Sequence, residues 1–358
     1  MSDGPDLTLQ LPAHVSALTY TQSGRLLVGS DDGSLRVYLP PDAKVVKAIR
    51  GLGSEVSSIA LARKSKGEED DGRIWIACGT QVLLFNYQSE KLVLSLPDAL
   101  DALALSEDAD DVLNEIAVNS AGKTLAFSTD SGAVGVVDLS FRRIRRMKTR
   151  HSNASNLVSF IPGRHNEFVS GGYDSALLHF DFSLGNLSSR HDFSAVQQTS
   201  GISLSPPFVL CLSVNRQDIC AAGTADGHLW IGRGGERREY GKSSSKRKKW
   251  DGLAEEYAQL VKAADGPLVA TTFLGDTQII ACTLRGVLSC HAISKMGKDG
   301  AFEVAPAWST QVKGMEKVNA LSVSSTHVSI GGFSQDGKGL VVLLSLEALH
   351  TENANRGD

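Results

Sequence analysis

The sequence predicts an all-β fold, a single seven-bladed β-propeller with four antiparallel strands in each blade. Three observations lead to this prediction. A run of small and β-branched residues, a tight turn built on Asp or Gly, and a second apolar run recur along the chain. The turns are about 40 to 60 residues apart, close to the ~40–45 residues of one propeller blade. Four short strands fit into each interval. The seven turns lie at Asp32-Gly33, Gly79-Thr80, Ser131-Gly132, Asp174-Ser175, Asp226-Gly227, Arg285-Gly286 and Asp336-Gly337.

Each repeat unit contains two apolar strands before its tight turn and two strands after it. In the first unit, Val15–Tyr20 and Leu26–Ser30 are strands joined by a Ser23-Gly24 hairpin turn. The third strand is apolar, and the fourth is more polar, as an outer strand should be. The blades are predicted at residues 14–50, 55–96, 112–149, 151–193, 207–240, 266–311 and 317–346.

The two ends of the chain are predicted to close the ring, which spans residues 5–349. The last unit has only three strands, and the alternating stretch Asp6–Leu11 belongs to no unit of its own. We expect this N-terminal stretch to be the outer strand of the last blade, because pairing the chain ends removes open sheet edges. Residues 350–358 are expected to be a flexible tail.

Two stretches interrupt the repeat. Lys64–Gly72 is charged and is expected to be a solvated loop. Residues 232–265 are interpreted as an insertion between blades five and six, with a basic loop followed by a helix over Asp251–Ala264. Two roles stay open for this helix, packing on the side of the propeller or docking a partner. Its apolar face is formed by Leu253, Tyr257, Leu260 and Val261.

Composition limits the function classes. The chain has 358 residues, 42% of them hydrophobic, and a formal net charge of -4, so nucleic acid is not the expected partner. Its five cysteines are odd in number and lie in apolar runs, which favours reduced thiols and a nuclear or cytoplasmic location. We find no signal peptide or membrane span and expect no membrane partner.

The repeats resemble the WD-repeat family, in which a His, a Ser or Thr, a turn Asp and a Trp form a hydrogen-bonded set in each blade. The fourth unit matches best, with His151, Ser170 and Asp174 at three of these places and Phe180 at the Trp place. The stretch Leu113–Leu187 resembles a small single-propeller branch of the family. The residues that carry this resemblance are Ser131-Gly132-Ala133, Val137-Asp138-Leu139, Arg150-His151-Ser152-Asn153 and Val158-Ser159-Phe160.

The resemblance implies a role as substrate receptor of a cullin-4-type ubiquitin ligase. Such receptors dock on the ligase adaptor through a strand-end pattern of an aromatic or aliphatic residue, Asp, any residue and Arg. Three strand ends of this chain lack the Arg, namely Phe85–Gln88, Val137–Ser140 and Phe180–Ser183. A guanidinium makes a bidentate contact that Ser or Gln cannot replace.

No catalytic, metal or cofactor site is predicted. The chain has no His-Glu-x-x-His sequence, no Gly-x-Ser-x-Gly elbow and no paired-Cys zinc spacing. Gly235 and Gly241 precede Lys242-Ser243 as in a phosphate-binding loop, but they enclose five residues, and such a loop needs four.

Two basic segments have alternative interpretations. The first is either an outer strand protected by its charges or a positive patch for an acidic partner or RNA. The second is either a nuclear-import signal or a solvated loop. The first comprises Arg142, Arg143, Arg145, Arg146, Lys148 and Arg150, and the second comprises Lys242, Lys246, Arg247, Lys248 and Lys249.

We interpret the protein as a non-enzymatic scaffold or adaptor, a monomeric propeller within a complex, that binds other proteins. The alternative is a nuclear scaffold that associates with nucleic acid through the basic segments. Binding residues are expected beside the tight turns, because loops carry function on a rigid fold. The candidates are Ser152, Asn153, Tyr173, Arg285, Phe333 and Gln335.

Overall fold

A computed structural model describes residues 6–62, 72–106, 108–195, 205–233, 250–295 and 302–354. Its strands form seven sheets, each built on four antiparallel strands. The first strand of each blade packs against the first strands of both neighbouring blades, and the last blade packs against the first. The prediction of a seven-bladed β-propeller is therefore confirmed. No helix in the described ranges is long and apolar enough to cross a membrane.

The chain starts with β1 (Leu7–Leu11) and then forms the first three blades. Blade one contains β2 (Val15–Tyr20), β3 (Leu26–Ser30), β4 (Leu35–Tyr38) and β5 (Val45–Ile49). Blade two contains β6 (Val56–Leu61), β7 (Arg73–Cys78), β8 (Gln81–Asn86) and, after β9 (Val93–Leu94), β10 (Asp101–Ala104). Blade three contains β11 (Leu113–Val118), β12 (Thr124–Thr129), β13 (Val134–Asp138) and β14 (Arg143–Arg146).

The other four blades complete the ring. Blade four contains β15 (Ser155–Phe160), β16 (Glu167–Gly172), β17 (Ala176–Asp181) and β18 (Asn186–Asp192). Blade five contains β19 (Val209–Val214), β20 (Ile219–Thr224), β21 (His228–Arg233) and β22 (Ala258–Lys262). Blade six contains β23 (Leu268–Leu274), β24 (Gln278–Thr283), β25 (Val287–Lys295) and β26 (Phe302–Gln311). Blade seven contains β27 (Lys317–Val323), β28 (His327–Phe333) and β29 (Gly339–Ser345).

Blade seven is completed from the other end of the chain. β1 pairs antiparallel with β29, with Leu7 opposite Leu343 and Leu11 opposite Gly339, so the predicted closing strand is confirmed. A helix, α1 (Leu346–Ala354), follows β29. The prediction of a flexible tail from residue 350 is wrong up to residue 354, because Leu346 and Leu349 are buried against blades six and seven and anchor this helix. Residues 355–358 lie outside the described ranges.

The middle strands of the blades are buried because both of their faces meet a neighbouring blade. Every residue of β3 and of β20 is buried. Glycine allows the closest approach: a Cβ at Gly29 would lie 2.5 Å from Val56 Cγ1 of the next blade. The runs of small and β-branched residues in the sequence therefore reflect contact between blades.

The predicted helix over 251–264 is wrong. This stretch contains a single 3₁₀ turn at Glu255–Tyr257 and then β22, which pairs antiparallel with β21. The free edge of β21 needs hydrogen-bond partners, and β22 satisfies them. Trp250 and Leu253 are buried among side chains of blades four and five, not on the side of blades five and six. Blade five consequently extends to residue 262, beyond its predicted limit at 240.

Blade two also obtains its outer strand later than predicted. After β8, the chain crosses to blade one, where β9 pairs parallel with β5, with Ala48 opposite Val93. A 3₁₀ turn at Leu96–Asp98 leads back to β10, which pairs with β8. The outer strand therefore lies beyond the predicted limit at residue 96. Another 3₁₀ turn, Phe193–Ala195, follows blade four. The predicted charged loop Lys64–Gly72 falls outside the described ranges except for Gly72.

Candidate partner-binding face

Strand direction places the seven tight turns and the loops between blades on one face, the turn face. In each blade, the turn between the second and third strands lies beside the end of the outer strand and the start of the next blade. Backbone hydrogen bonds join them: the carbonyls of Gly33, Gly132 and Gly286 accept from Leu52, His151 and Val312. These backbone hydrogen bonds hold each turn against the loops that surround it.

The turn residue that accepts these bonds needs a left-handed backbone. Its φ is +80° at Gly132 and +84° at Gly227, a conformation that glycine adopts without steric cost. A Cβ at Gly227 would also lie 2.1 Å from the Ala264 carbonyl oxygen. In blade four the corresponding residue is Ser175, which also adopts a left-handed φ of +57° although it is not a glycine. The recurring Asp/Gly signature is therefore a structural requirement of the turn face.

Blade four holds its turn with a buried set of polar side chains. His151 Nδ1 lies 2.8 Å from Asp174 Oδ1, and His151 Nε2 lies 2.8 Å from Ser170 Oγ. Asp174 Oδ2 also accepts the Ser152 N–H at 3.2 Å. Burial alone would raise the pKa of Asp174, but the hydrogen bonds from His151 and Ser152 and the nearby positive charges together hold the pKa below its ordinary value. Phe180, at the Trp place, stacks on Phe168 instead of donating to Ser170.

This set has the connectivity of a Ser-His-Asp triad, yet its position gives it a structural role. Ser170 is 0% exposed and His151 is 1% exposed, so a substrate carbonyl has no path to the hydroxyl. A nucleophile needs an accessible reacting site with oxyanion donors beside it. The hydrogen bonds of this set connect the turn at Asp174 to the loop at His151 and Ser152.

Three of the predicted binding residues lie together above this set. Ser152 and Asn153 are exposed in the loop that follows β14. Tyr173 is 38% exposed and packs edge-on against Phe208, with ring centroids 5.6 Å apart. The Tyr173 N–H donates to the Ala154 carbonyl, which fixes the backbone that carries the ring. Blades four and five thus present an aromatic pair beside two exposed polar side chains.

The other three predicted binding residues lie elsewhere on the same face. Arg285, in blade six, is ion-paired with Glu316. Phe333, in blade seven, stacks on His14 with ring centroids 4.3 Å apart. Gln335 is exposed in the neighbouring turn. The structure therefore separates the six candidates into two groups.

A ring of seven bulges surrounds the axis and was not predicted from the sequence. Each inner strand has a β-bulge after its first residue, or after its second residue in β27, and the bulged side chain is half-buried. Ser16 donates to the Val56 carbonyl, and Asn114 donates to the Ser155 carbonyl of the next blade. Five of the seven bulged residues are Ser or Asn, and this recurrence near the strand starts is visible in the sequence. The seven bulged residues are Ser16, Ser57, Asn114, Asn156, Leu210, Val269 and Asn319.

A carboxyl group lies next to this ring, between blades two and three. Glu115 Oε1 accepts the Ser58 hydroxyl at 2.8 Å, and Ser58 Oγ accepts the Ile116 N–H at 3.2 Å. Burial raises the pKa of Glu115 to about 7, although the Ser58 hydrogen bond opposes this shift. The Glu115 carboxyl group is therefore only partly ionised near neutral pH.

The aspartates of the turns form hydrogen bonds with nearby residues. Asp32 accepts the Ser34 N–H at 3.1 Å, and Asp130 accepts from Asn114 at 2.9 Å. Asp226 accepts from Thr224 at 2.5 Å and lies 3.0 Å from His228 Nδ1. Within the described ranges, no three His, Cys, Asp or Glu side chains converge as metal ligands. These carboxylates stabilise turns.

The first basic segment joins three blades. Arg142 is ion-paired with Asp101 of blade two at 2.7 Å, and Arg146 donates to the Leu105 carbonyl. Arg145 donates to the Phe182 carbonyl of blade four at 2.6 Å. Arg143, Lys148 and Arg150 remain exposed. The second basic segment, at Lys242, Lys246, Arg247, Lys248 and Lys249, lies outside the described ranges.

A small cavity lies between blades five and six. Its volume is about 20 Å³, and its walls include Ile219, Ile293 and Phe302 beside the polar pair Gln217 and Asp276. A space of this size holds about one water molecule. It has no room for an organic cofactor.

Comparison with known proteins finds a WD-repeat relative. No protein-family model matches the chain. A WD repeat-containing protein 53 homolog of Dictyostelium discoideum is 20% identical over 236 residues, which cover 61% of this chain and 61% of the relative. The chain thus spans about 61% of the length of the curated relative that it matches. This similarity and the seven-bladed ring agree with the spacing of the repeats.

Proposed function

Because this chain is a WD-repeat propeller, we propose that it binds a partner protein through the turn face, above blades four and five. Propellers of this kind are protein-interaction scaffolds and typically carry no enzymatic activity. The observation that supports this location is the exposed Tyr173 ring, which packs on the half-buried Phe208 beside the exposed Ser152 and Asn153.

The supporting structure gives this location an advantage over the rest of the face. Interface energy concentrates in aromatic anchors that are already held in their bound position. The buried His151–Asp174 pair holds the loop and the turn that carry these side chains. By contrast, Arg285 is already ion-paired with Glu316 within the ring.

A matched pair of tyrosines tests the proposal. Tyr173 is 38% exposed on the turn face, whereas Tyr257 is 41% exposed near the outer strand of blade five. Partners should be captured from cells with wild type, Y173A and Y257A and quantified by mass spectrometry. We expect Y173A to lose at least one partner by about tenfold or more, and Y257A to keep it. Equal capture by all three proteins would refute the turn face as the binding surface.

We further propose, as the family resemblance implies, that the scaffold is a substrate receptor of a cullin-4-type ubiquitin ligase. At the end of β13, Asp138 accepts the backbone N–H groups of Ser140 and Phe141 at 2.9 and 3.1 Å. Arg142 follows this strand end, although it comes late for the docking pattern and is engaged by Asp101. Docking would require Arg142 to exchange this partner for the adaptor.

Binding of the purified chain to the triple-propeller adaptor tests this role. R142A should weaken binding by about tenfold, because a charge-assisted contact is lost. R143A removes a neighbouring exposed arginine and serves as the control. If wild type does not bind the adaptor, the receptor role is abandoned and the scaffold role is unaffected.

Nucleic-acid association is the less supported alternative. Arg142, Arg145 and Arg146 hold blades together, so three cations, Arg143, Lys148 and Arg150, remain for a phosphate backbone. Binding to a labelled RNA should fall steeply between about 50 and about 200 mM salt if the alternative is right. Affinity that does not change with salt, or no binding, would exclude it.

We also propose a nuclear and cytoplasmic location, with Lys242, Lys246, Arg247, Lys248 and Lys249 as the import signal. This segment is tested by replacing its five basic residues with alanine in a fluorescent fusion. Loss of nuclear signal is expected. An unchanged distribution would mean that the segment is a solvated loop.

A further inference from the structure

The chain between β8 and β10 departs from the repeat and forms an unusual surface. We call residues 88–100 the crossing segment, since it leaves blade two, adds β9 to the edge of blade one and returns. The Ala48 N–H donates to the Leu92 carbonyl at 3.0 Å, and the Leu100 N–H donates to the Leu84 carbonyl at 2.7 Å. The segment is thus held at both ends and lies along the outer rim of blades one and two.

The crossing segment exposes leucines that the fold does not require. Leu92 is 71% exposed, Leu96 is 45% exposed and Leu100 is 58% exposed, whereas Leu94 is buried and packs in the core of blades one and two. The described residues include thirteen exposed large apolar side chains, and seven of them lie between residues 39 and 100. Scattered exposed leucines are ordinary, but such a concentration marks an interaction surface.

The charges around these leucines favour an acidic partner. The acids of the segment are neutralised, since Asp98 is paired with Lys91 at 2.5 Å and Asp101 is paired with Arg142 at 2.7 Å. Lys44, Arg50 and Arg143 are exposed at the rim. Glu90 and Asp42 are the exposed acids opposing them. The net charge around the leucines is therefore positive, and complementary charge guides association.

The strand edges favour a helix over an added strand. β9 has two residues and β10 has four, and a 3₁₀ turn lies between them. Strand addition needs a continuous free edge, whereas a helix docks through its side chains alone. We propose that the crossing segment binds an amphipathic helix of another protein, whose apolar stripe is flanked by Asp or Glu.

This surface is distinct from the turn face. It lies on the circumference of the ring, so one propeller would hold a helix at its rim while the turn face stays free. Failure of the Y173A experiment would leave this proposal intact, because Tyr173 and Leu92 belong to different blades and different surfaces.

Peptide binding to the full chain tests the proposal. The probe is a labelled helical peptide of ~18 residues with a leucine stripe flanked by Glu. A second peptide carries Lys in place of each Glu. We expect the Glu peptide to bind about tenfold or more tightly than the Lys peptide. Equal affinity, or no binding of the Glu peptide, overturns the proposal.

Two variants locate the binding surface. L92S/L100S should weaken the Glu peptide by about tenfold, while L184S should not, although Leu184 is also 71% exposed. R50E/R143E keeps the leucines and should reverse the preference between the two peptides. Melting curves that match wild type establish that the variants are folded. If L184S weakens binding as much as L92S/L100S, the peptide binds nonspecifically and the proposal is wrong.

A photo-crosslinking amino acid at position 96 then identifies the natural occupant in cells, with position 184 as the control site. A crosslinked segment that is amphipathic, helical and acidic supports the proposal. Crosslinks to a second copy of this chain, to a segment without these properties, or in equal yield at both positions overturn it.

Discussion

Blades four and five obtain their outer strands in different ways. In blade four, β18 follows β17 after a short turn at Gly185. In blade five, β22 comes after residues 234–257, and Trp250 is buried on the way. Both outer strands nevertheless pair antiparallel with the third strand of their blade. The comparison teaches that an open strand edge is filled wherever in the chain its partner comes from, because unpaired backbone groups are costly.

The largest effect is expected at the anchor of the blade-five outer strand. Trp250 is 1% exposed, and its Nε1 donates to the Asp218 carbonyl at 3.0 Å. W250A should destabilise the protein by about 3 to 5 kcal/mol, since it leaves a large cavity. Thermal unfolding measures this loss, and hydrogen exchange should show that β22 loses protection. Y257A, at an exposed ring nearby, is the control. Unchanged protection of β22 in W250A would show that this strand does not depend on the anchor.

The next effect concerns the polar set of blade four. D174N keeps the shape of the side chain but removes the charge that His151 and Ser152 contact. Loss of a hydrogen bond to a buried charged group should cost about 2 to 3 kcal/mol. Denaturant unfolding measures it. D130N, in the turn of blade three, changes an aspartate bonded to Asn114 and should cost less. An equal loss of unfolding free energy in both variants would show that the polar set of blade four contributes no more to stability than an ordinary turn aspartate.

A smaller loss of stability is expected when glycine is replaced by alanine in a turn, and it should differ between two glycines with similar backbone conformations. Gly227 of blade five has φ +84° and Gly185 of blade four has φ +70°. A Cβ at Gly227 meets the Ala264 carbonyl at 2.1 Å, whereas a Cβ at Gly185 meets nothing within 4 Å. G227A should therefore cost about 2 kcal/mol or more and G185A about 1 kcal/mol. Melting temperatures of the two variants measure the difference, and a larger loss for G185A would contradict the close approach at Gly227.

The smallest effect is pH-dependent and lies between the two blades. His191 of β18 packs against Trp230 of blade five, with ring centroids 5.0 Å apart. Burial lowers the pKa of His191, although Glu255 and Asp192 oppose this shift. A lowered pKa means that the neutral ring stabilises the fold above its ordinary pKa of about 6.5. This stability is lost as pH falls through the folded-state pKa.

H191F removes this titration while keeping an aromatic ring. As pH falls from 7.5 to about 5, the wild type should lose more stability than H191F. Melting curves at both pH values measure the difference. Parallel pH profiles would show that His191 does not titrate in the folded protein. Burial also lowers the pKa of His291, and this residue is present in both wild type and H191F. The contribution of His191 is therefore the difference between their two pH profiles.

The first three strands of most blades follow from local chain chemistry. Leu26–Ser30 is a run of apolar and small residues bounded by turn residues, and β3 has these same limits. The turn glycines were visible because a left-handed backbone restricts the residue type. The candidate site could be predicted only in part. Tyr173 was chosen because it adjoins a turn, whereas its packing on Phe208 joins two blades and has no local sequence signal.

The outer strands show where sequence patterns were insufficient. The apolar residues of 251–264 recur at helical spacing, yet Leu253 is in the core and Leu260 is exposed in β22. Likewise, blade two was predicted to end at residue 96, but Val93 and Leu94, just before this limit, pair with blade one. A short amphipathic segment fits either a helix or a strand, so its state is decided by the edge that it meets.

The number of blades, the tight turns and the closure by β1 were determined by residue patterns alone, because they depend on short-range geometry and on alternation within a strand. The partner of each outer strand, the ring of bulges and the exposed leucines of the crossing segment were decided by the tertiary structure. The physical reason is that these features satisfy hydrogen bonds and bury side chains between segments distant in sequence. Only the closed ring brings those segments together.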